Sequence, residues 1–559
     1  MVLLQPLSEL QLRDVIATHV AASLIVHYVF RRWEPSSPIL VALLLLATPI
    51  PLVSLLLPHV AHWIYAITAS YSLFLSTLVL SIISYRLSPF HPLARYPGPL
   101  MCRVSKWWMV WETRGGQQHH WYKRMHEQYG DAVRTGPNDI SFVDASIIAS
   151  LMGTTGLPKG PSRSAAGMFP AIKALIMFRD PVEHAHRRKP WNRAFNSAAL
   201  KEYQPKVAHR ASQLVEGLAK RNGVADLSLW VSWFAYDFMG DMASGGGTAM
   251  MQNGDGDDLW YLLRTGMVSS FLFEQMNWLP HILKYIPKFR DRVQRMRYMG
   301  INRAKARFER GAETKDLFYF LSNEDGSEKE KPPMPVVVSD GALALIAGSD
   351  TTMIVLSALF WNILYQPEVY KRLREEVDKF YPSGEDSTST EHHPQMAYLE
   401  AVINETLRMY PPVPSGSQRA PLVGGGDRII GQYYIPEGTT TRMHIYSLHR
   451  DPRNFTDPER YWPERWLIAE GLGEANPNPG SKEGFVHNAN AFIPFSFGPA
   501  NCVGKNLAMQ EMRVVVCHVV HELDLAFADG WDPTEFEKAY RDHFVAEVGR
   551  LPVVVRQRV

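Results

Sequence analysis

Three cysteines in 559 residues, Cys102, Cys502 and Cys517, are too few for a disulfide framework. That scarcity fits a reducing compartment and leaves a single thiol free for ligand chemistry. Neither sign of charge is in excess: 58 Lys and Arg stand against 56 Asp and Glu, a net charge of +2. The strongly basic balance of a nucleic-acid binder is therefore absent. No basic start precedes the first apolar run and no small-residue cleavage site stands out, so a secretory signal peptide is not indicated. The triplet Gly245-Gly246-Gly247 lacks the Lys-Ser/Thr and the preceding strand of a phosphate loop, and reads as a connector.

What the chain does have is an apolar head, in three segments: Val15 to Phe30, Ile39 to Val60 and Trp63 to Ser84. A membrane span needs about 20 apolar residues. The first segment is short and holds His19 and His27, the second is interrupted by Pro49, Pro51 and Pro58, and the third is the cleanest. Two arrangements fit: three spans, or one span made by the third segment with the others lying on or against the membrane. Arg31 and Arg32 follow the first segment, Arg86 and Arg95 the third. Under the positive-inside rule both loops face the cytosol, which three spans with a lumenal N-terminus satisfy. The prolines of His91 to Pro99 stop a helix, and the stretch reads as a hinge.

Beyond it, Ala132 to Thr135 and Ile140 to Val143 predict two short strands joined by Gly136-Pro137-Asn138. Most later segments predict helix. Gly153 to Phe169 and Ser322 to Pro335 predict loops. Met267 to Pro287 is apolar and aromatic, suited either to core packing or to contact with lipid at a substrate entrance.

Within this frame, Phe495-Ser496-Phe497-Gly498-Pro499-Ala500-Asn501-Cys502-Val503-Gly504 sets one thiol just before a helical run, Lys505 to Val520. N–H groups and the positive end of a helix favour a thiolate there. Gly498 permits a turn that a side chain would block, and Pro499 stiffens it. Ser339 to Tyr365 predicts a long apolar helix that carries Ala347-Gly348-Ser349-Asp350-Thr351-Thr352 in its middle. That insertion is costly, since a mid-helix glycine alone destabilises by about 1 kcal/mol relative to alanine and buried polar groups need partners. Glu405 and Arg408 share a helical face, a pair worth only about 0.2–0.5 kcal/mol if exposed. Pro463-Glu464-Arg465-Trp466 supplies a second arginine, and Glu183 to Phe195 carries a basic run whose ordinary meaning is a solvated face.

These segments, in this order, resemble the cytochromes P-450. Phe495, Gly498, Cys502 and Gly504 match the haem-loop pattern F-x-x-G-x-R-x-C-x-G, with Ala500 where the family has arginine. Ala347 to Thr351 matches A-G-x-[DE]-T, Glu405 and Arg408 match E-x-x-R, and His184 and Arg188 stand at the ends of W-x-x-x-R. The resemblance runs from about Pro97 to the C-terminus. In Pro190 to Phe195 and Gly498 to Asn506 it is nearest to fungal microsomal members of the tryprostatin B 6-hydroxylase group.

The resemblance implies a mainly α fold with a small β portion, preceded by membrane-spanning N-terminal segments: residues 1–96 as an anchor region of one to three transmembrane helices, and 97–559 as the catalytic domain. It implies haem b (iron protoporphyrin IX), with Cys502 as iron ligand and Phe495, Gly498 and Gly504 shaping the loop. His184, Arg188 and Arg419 are the propionate candidates in place of the arginine missing at Ala500, and His184, at the tryptophan position, is a further cofactor-binding residue. Glu405, Arg408 and Arg465 would form a buried structural network. The long helix would open beside the iron, with Thr351 hydrogen-bonded to the activated oxygen and Asp350 relaying protons from solvent. Ala347, Gly348, Val413, Pro414 and Ser415 would lie near substrate.

The implied activity is a haem-thiolate monooxygenase of the endoplasmic reticulum membrane, facing the cytosol, that uses O2 on an apolar small molecule. Only 57 residues follow Cys502, too few for a flavin domain, so a separate NADPH-cytochrome P-450 reductase is expected, with Arg187, Lys189 and Arg193 as a docking patch. Membrane lipid is an expected partner and nucleic acid is not. Two rival readings remain: a haem-thiolate isomerase or dehydratase that needs no reductase, and a membrane haem sensor or carrier without turnover.

Overall fold

The computed structural model describes residues 10–558 apart from 34, 36, 163–171, 222, 247, 257, 312–313 and 474–483. Residues 163–169 of the loop expected over Gly153 to Phe169 thus lie outside the described residues.

Helix α1 (Leu12–Trp33) is followed by the short helices α2 (Pro38–Ala42) and α3 (Pro49–Leu56), joined by a π-helical turn, Leu43–Ala47, and then by α4 (Trp63–Leu87). Three stretches here, Leu12–Trp33, Pro38–His59 and Trp63–Leu87, are long and apolar enough to cross a bilayer. Of the prolines that interrupt the second segment, Pro49 and Pro51 sit in the first turn of α3 and Pro58 at the start of the 3-10 turn Leu57–His59, where the absent N–H is harmless. Polar atoms join α1 to α4: His19 Nε2 pairs with Ser70 Oγ at 2.9 Å, Ser23 Oγ donates to the Phe74 carbonyl at 2.9 Å, and His27 pairs with Ser81 Oγ at 2.5 Å. Partner numbers rise together along both helices, so α1 and α4 run parallel.

The expected hinge is a packed strap. Arg86 Nη1 donates to the Val104 carbonyl at 2.6 Å, Tyr96 Oη to Tyr434 O at 2.7 Å, and Arg134 N to Pro97 O at 2.7 Å. His91, Leu93 and Tyr96 are buried. Helix α4 ends at Leu87 with Pro89 two residues on, ahead of the prolines that predicted the stop, and the chain after it is tied to β1 by the Arg134 N–H on Pro97 O.

The body is helical. In chain order it comprises α5 (Leu100–Val104), α6 (Lys106–Glu112), α7 (Gln118–Tyr129), α8 (Ile148–Met152), α9 (Pro181–Ala194), α10 (Ser197–Ala219), α11 (Leu227–Ser244), α12 (Leu259–Gln275), α13 (Pro287–Arg310), α14 (Met334–Tyr365), α15 (Pro367–Phe380), α16 (Ala397–Met409), α17 (Ile445–His449), α18 (Glu464–Ala469) and α19 (Lys505–Glu522). Its core lies where α10, α11, α14, α16 and α19 meet, with Leu214, Phe234, Leu359, Phe360, Val402 and Val516 wholly buried. Burying such side chains stabilises by about 1.5–3 kcal/mol each. Helix α14 starts five residues before the sequence reading placed it, because Pro335 falls in its first turn.

The β portion is small. β1 (Ala132–Gly136) pairs antiparallel with β2 (Asp139–Phe142), which runs parallel to β6 (Thr440–Met443). A second sheet orders β3 (Val224–Asp226), β10 (Pro552–Gln557) and β7 (Leu523–Phe527). Two hairpins complete it, β4 (Arg428–Ile430) with β5 (Tyr433–Ile435), and β8 (Arg541–His543) with β9 (Val545–Glu547).

Candidate active site

The thiol loop is closed by one backbone bond, from Cys502 N to Phe495 O at 2.9 Å. Gly498 makes the tight turn at φ +74°, and a Cβ there would strike the Met152 carbonyl of α8. Any side chain at 498 is therefore excluded twice, by backbone conformation and by contact. Cys502 lies just before α19, whose N-cap is Gly504. Its side chain is accessible, yet enough protein surrounds it that burial pushes the thiol pKa up. The N–H groups of Gly504 and Lys505 and the charges of Arg188 and Lys505 pull it down without winning. The thiolate expected at neutral pH from helix position alone is thus not reached by these groups unaided; a bound cation would deprotonate it outright.

Helix α14 carries the polar insertion without a break, contrary to the expected opening. Each polar group found a partner that leaves the helix intact. Thr351 Oγ1 donates to the Ala347 carbonyl at 2.7 Å, one turn back, and Ser349 Oγ donates to Ala235 O of α11 at 3.1 Å. Asp350 accepts from Tyr236 Oη at 2.6 Å. Burial pushes the Asp350 carboxyl up to about 6, while Tyr236 and Arg264 oppose the rise. Gly348, expected beside substrate, instead faces α11, where an added Cβ would lie 2.6 Å from Met239 Sδ. Ala347 is exposed and Thr351 partly so, on a helix otherwise largely buried.

Glu405, Arg408 and Arg465 are all fully buried. Arg408 Nη2 lies 2.8 Å and Arg465 Nε 3.1 Å from Glu405 Oε1. Two arginines against one glutamate leave a surplus positive charge, which carbonyls absorb: Arg408 donates to His449 O and Pro458 O, and Arg465 to Thr456 O, Asp457 O and Arg460 O. Burial alone would raise the Glu405 carboxyl, but the two guanidiniums hold it below its ordinary range.

His449, which no motif marked, ties this network to the thiol loop. Its Nδ1 faces Arg408 O at 3.2 Å and its Nε2 accepts Ile493 N–H at 3.1 Å, two residues before Phe495. Burial first, then Arg408, pushes its pKa down to about 3, so the ring is neutral. Asp340 was equally silent in sequence. It receives Arg187 at 2.6 Å, Trp191 Nε1 at 3.1 Å and Leu175 N at 2.9 Å, joining α14 to α9. Because Arg187 is committed to Asp340 and Arg193 to Asp325 and Glu328 at 2.8 Å, the expected docking patch keeps only Lys189.

His184, Arg188 and Arg419 come together. Burial, then Lys159, Arg188 and Arg419, push His184 down to about 4, and burial pulls Arg419 down to about 10. Among the described residues no carboxylate pairs with Arg188 or Arg419, and buried Arg419 Nε has no acceptor. Arg188 spans the gap left by Ala500 by donating to the Asn501 carbonyl at 2.7 Å and to its Oδ1 at 2.8 Å. Half-buried Arg188 and buried Arg419, flanking neutral His184 and without an acid of their own among the described residues, beside an accessible thiol with two N–H groups aimed at it, fit an anionic, metal-bearing planar group such as haem.

Of the remaining pocket candidates, Val413 is half-buried and Pro414 buried. Ser415 is withdrawn. Its hydroxyl donates to Asp542 Oδ2 at 2.6 Å, in a buried cluster that also takes Gln118 Nε2 onto Asp542 Oδ1 at 2.7 Å. A serine beside a proline turn found a carboxylate on β8, a strand more than a hundred residues away in sequence, which no local pattern announces.

Residues 97–546 match the family model described as cytochrome P-450. The chain is 32% identical over 486 residues to cytochrome P-450 monooxygenase FCK2 of Fusarium pseudograminearum, covering 86% of this chain and 85% of that one. It is 32% identical over 552 residues to cytochrome P-450 67 of Uromyces fabae, covering 94% and 96%. Tryprostatin B 6-hydroxylase of Aspergillus fumigatus is 27% identical over 497 residues, covering 87% and 84%. With the family model spanning most of its length and relatives named as monooxygenases, the chain belongs to the haem-binding cytochrome P-450 family of oxidoreductases.

Proposed function

We propose that the protein inserts one oxygen atom of O2 into an apolar small molecule, by hydroxylation or epoxidation, with haem b bound through Cys502. When bound, the haem supplies the oxygen activation. The chain's own residues do the rest. Cys502 is held by the Gly504 and Lys505 N–H groups; His184, Arg188 and Arg419 hold the propionates in place of the arginine absent at Ala500; and Glu405, Arg408, Arg465 and His449 brace the loop from behind. Thr351 presents its hydroxyl on the accessible face of α14, and Asp350 one residue earlier brings protons from the α11 side. The observation that carries this reading is the pairing of an accessible, N–H-supported thiol with two arginines, Arg188 and Arg419, that have no acid partner among the described residues.

Residues 97–559 form the catalytic domain, on the cytosolic face of the endoplasmic reticulum, and residues 1–96 the anchor. Electrons come from a separate NADPH-cytochrome P-450 reductase. The name of tryprostatin B 6-hydroxylase favours an indole-type substrate in fungal secondary metabolism; a terpenoid is the other class in view. The Asp350–Thr351 pair favours this reading over an isomerase, a dehydratase or a carrier, none of which needs protons delivered to O2.

The test is spectroscopic. Reduced, CO-treated protein should show the absorbance of thiolate-ligated haem, and Cys502→Ser should lose it. Reductase-dependent NADPH consumption with an incorporated oxygen from O2 should accompany turnover. A band retained in Cys502→Ser, or product without NADPH, overturns the proposal.

A further inference from the structure

Asp350 is not free to swing within its helix. It sits at the crossing of α14 with α11, where Gly348 admits Met239 and Ser349 reaches the Ala235 carbonyl. There its Oδ1 accepts the hydroxyl of Tyr236 at 2.6 Å. Tyr236 is fully buried and Asp350 8% exposed, so water does not compete for this bond. The other groups that act on the pair are few. Arg264 of α12 faces both, and is itself held by Glu547 of β9 at 2.6 Å; Asp255 acts on Tyr236. Neighbouring Asp237 is committed to the N–H groups of Met250 and Met251 at 2.8 and 3.0 Å. A phenol hydroxyl is a donor to a carboxylate but gains far less from a neutral carboxyl, because bonds to an ionised acceptor are about twice as strong.

We propose that Tyr236 is the positioning residue for Asp350: its hydroxyl holds the ionised carboxylate against α11, and so sets the pH at which Asp350 takes up the proton it delivers toward Thr351. This rests on the monooxygenase reading for the use of the proton, but not for the bond itself. Protonation weakens the Tyr236 bond and frees the side chain to turn; deprotonation restores it. The rise of Asp350 toward neutrality by burial, opposed by Tyr236, is consistent with such tuning.

The experiment is an infrared titration of the carboxyl band in the resting full-length holoprotein, with Asp350→Asn identifying the band. In Tyr236→Phe the Asp350 band should titrate at higher pH, by roughly one to two units if the bond has the strength usual for a charged acceptor. Replacing Tyr236 by 3-fluorotyrosine, a stronger donor of nearly the same shape, should move the titration to lower pH. It also serves if Tyr236→Phe does not fold. In turnover, the acid limb of product formed per NADPH should move with the band while substrate KM stays constant. An Asp350 band that titrates at the parent pH in both variants overturns the proposal. A band that shifts in a protein making no oxygenated product leaves Tyr236 as the tuner of Asp350 and removes the monooxygenase reading instead.

Discussion

Thr351 has its hydroxyl on the Ala347 carbonyl at 2.7 Å, a bond that any helical threonine can make and that by itself says nothing of oxygen. What distinguishes it is position. It follows a carboxyl that burial pushes up to about 6, and it shares with exposed Ala347 a partly accessible face of α14. Removing the hydroxyl should leave haem and substrate binding nearly unchanged, since neither rests on it. Proton delivery should be misdirected, so that NADPH is consumed with hydrogen peroxide released in place of product. General acid–base assistance is typically worth about 10²–10⁴ in rate, well above measurement error. The check compares NADPH consumed, peroxide released and product formed in Thr351→Ala, Thr351→Ser and the parent, with serine expected to rescue. Normal coupling with weakened substrate affinity in Thr351→Ala would make it a pocket residue.

At this same scale, Cys502, Gly498, Glu405 and Arg408 are legible in sequence because their reasons are local: a turn, a helix start, a spacing of three. Tyr236, Asp340 and His449 are not, since each acts through a partner 44 to 165 residues away in sequence. The bond of Ser415 to Asp542 escapes sequence for the same reason.

Among elements, the crossing of α11 with α14 explains the polar insertion better than its motif does. Gly348, Ser349 and Asp350 all face α11, and only Ala347 and Thr351 are left on the opposite face. A β-carbon at 348 would force Met239 aside, a strain of the kind that costs about 1–3 kcal/mol in a packed core. The Glu405 network is the second junction, tying α16 to α18 and, through His449, to the thiol loop. With its carboxylate gone, two buried guanidiniums face each other, and removing one partner of a buried pair costs about 3–5 kcal/mol. Glu405→Ala should therefore lower the urea midpoint strongly and lose the haem-thiolate band. Arg372, half-exposed and 3.1 Å from Glu464, is the control: Arg372→Ala should cost less than about 1 kcal/mol. Equal losses in the two variants would mean that the network's burial carries no special weight.

For the whole molecule the open matter is how the anchor threads the membrane, and there the sequence offered two arrangements that hydropathy alone does not separate. The pairing of α1 with α4 does bear on it. His19 with Ser70, Ser23 with Phe74 and His27 with Ser81 set the helices parallel, and Arg31 lies 4.1 Å over the Tyr85 ring, bringing their C-terminal ends to one level. If α4 spans the bilayer, a parallel neighbour of similar length spans it in the same direction, and Pro38–His59 must cross back between them. Polar side chains buried between the two helices find partners there that lipid would not provide. The strap from Arg86 to Pro99 fixes α4 to the body through Val104, Arg134 and Tyr434, so in that arrangement the body shares the side of Arg31 and Arg86, the side the positive-inside rule would assign to the cytosol. The start of α1 at Leu12 then falls on the opposite side. Glycosylation acceptors placed ahead of Leu12 should thus be modified in microsomes, whereas acceptors placed beside Arg32 should not. His19→Leu together with Ser70→Leu, which removes the first of these bonds, should loosen α1 and reduce modification at the first site. Modification beside Arg32, or none ahead of Leu12 in an otherwise folded protein, would rule out three spans in this orientation and leave α4 as the single crossing.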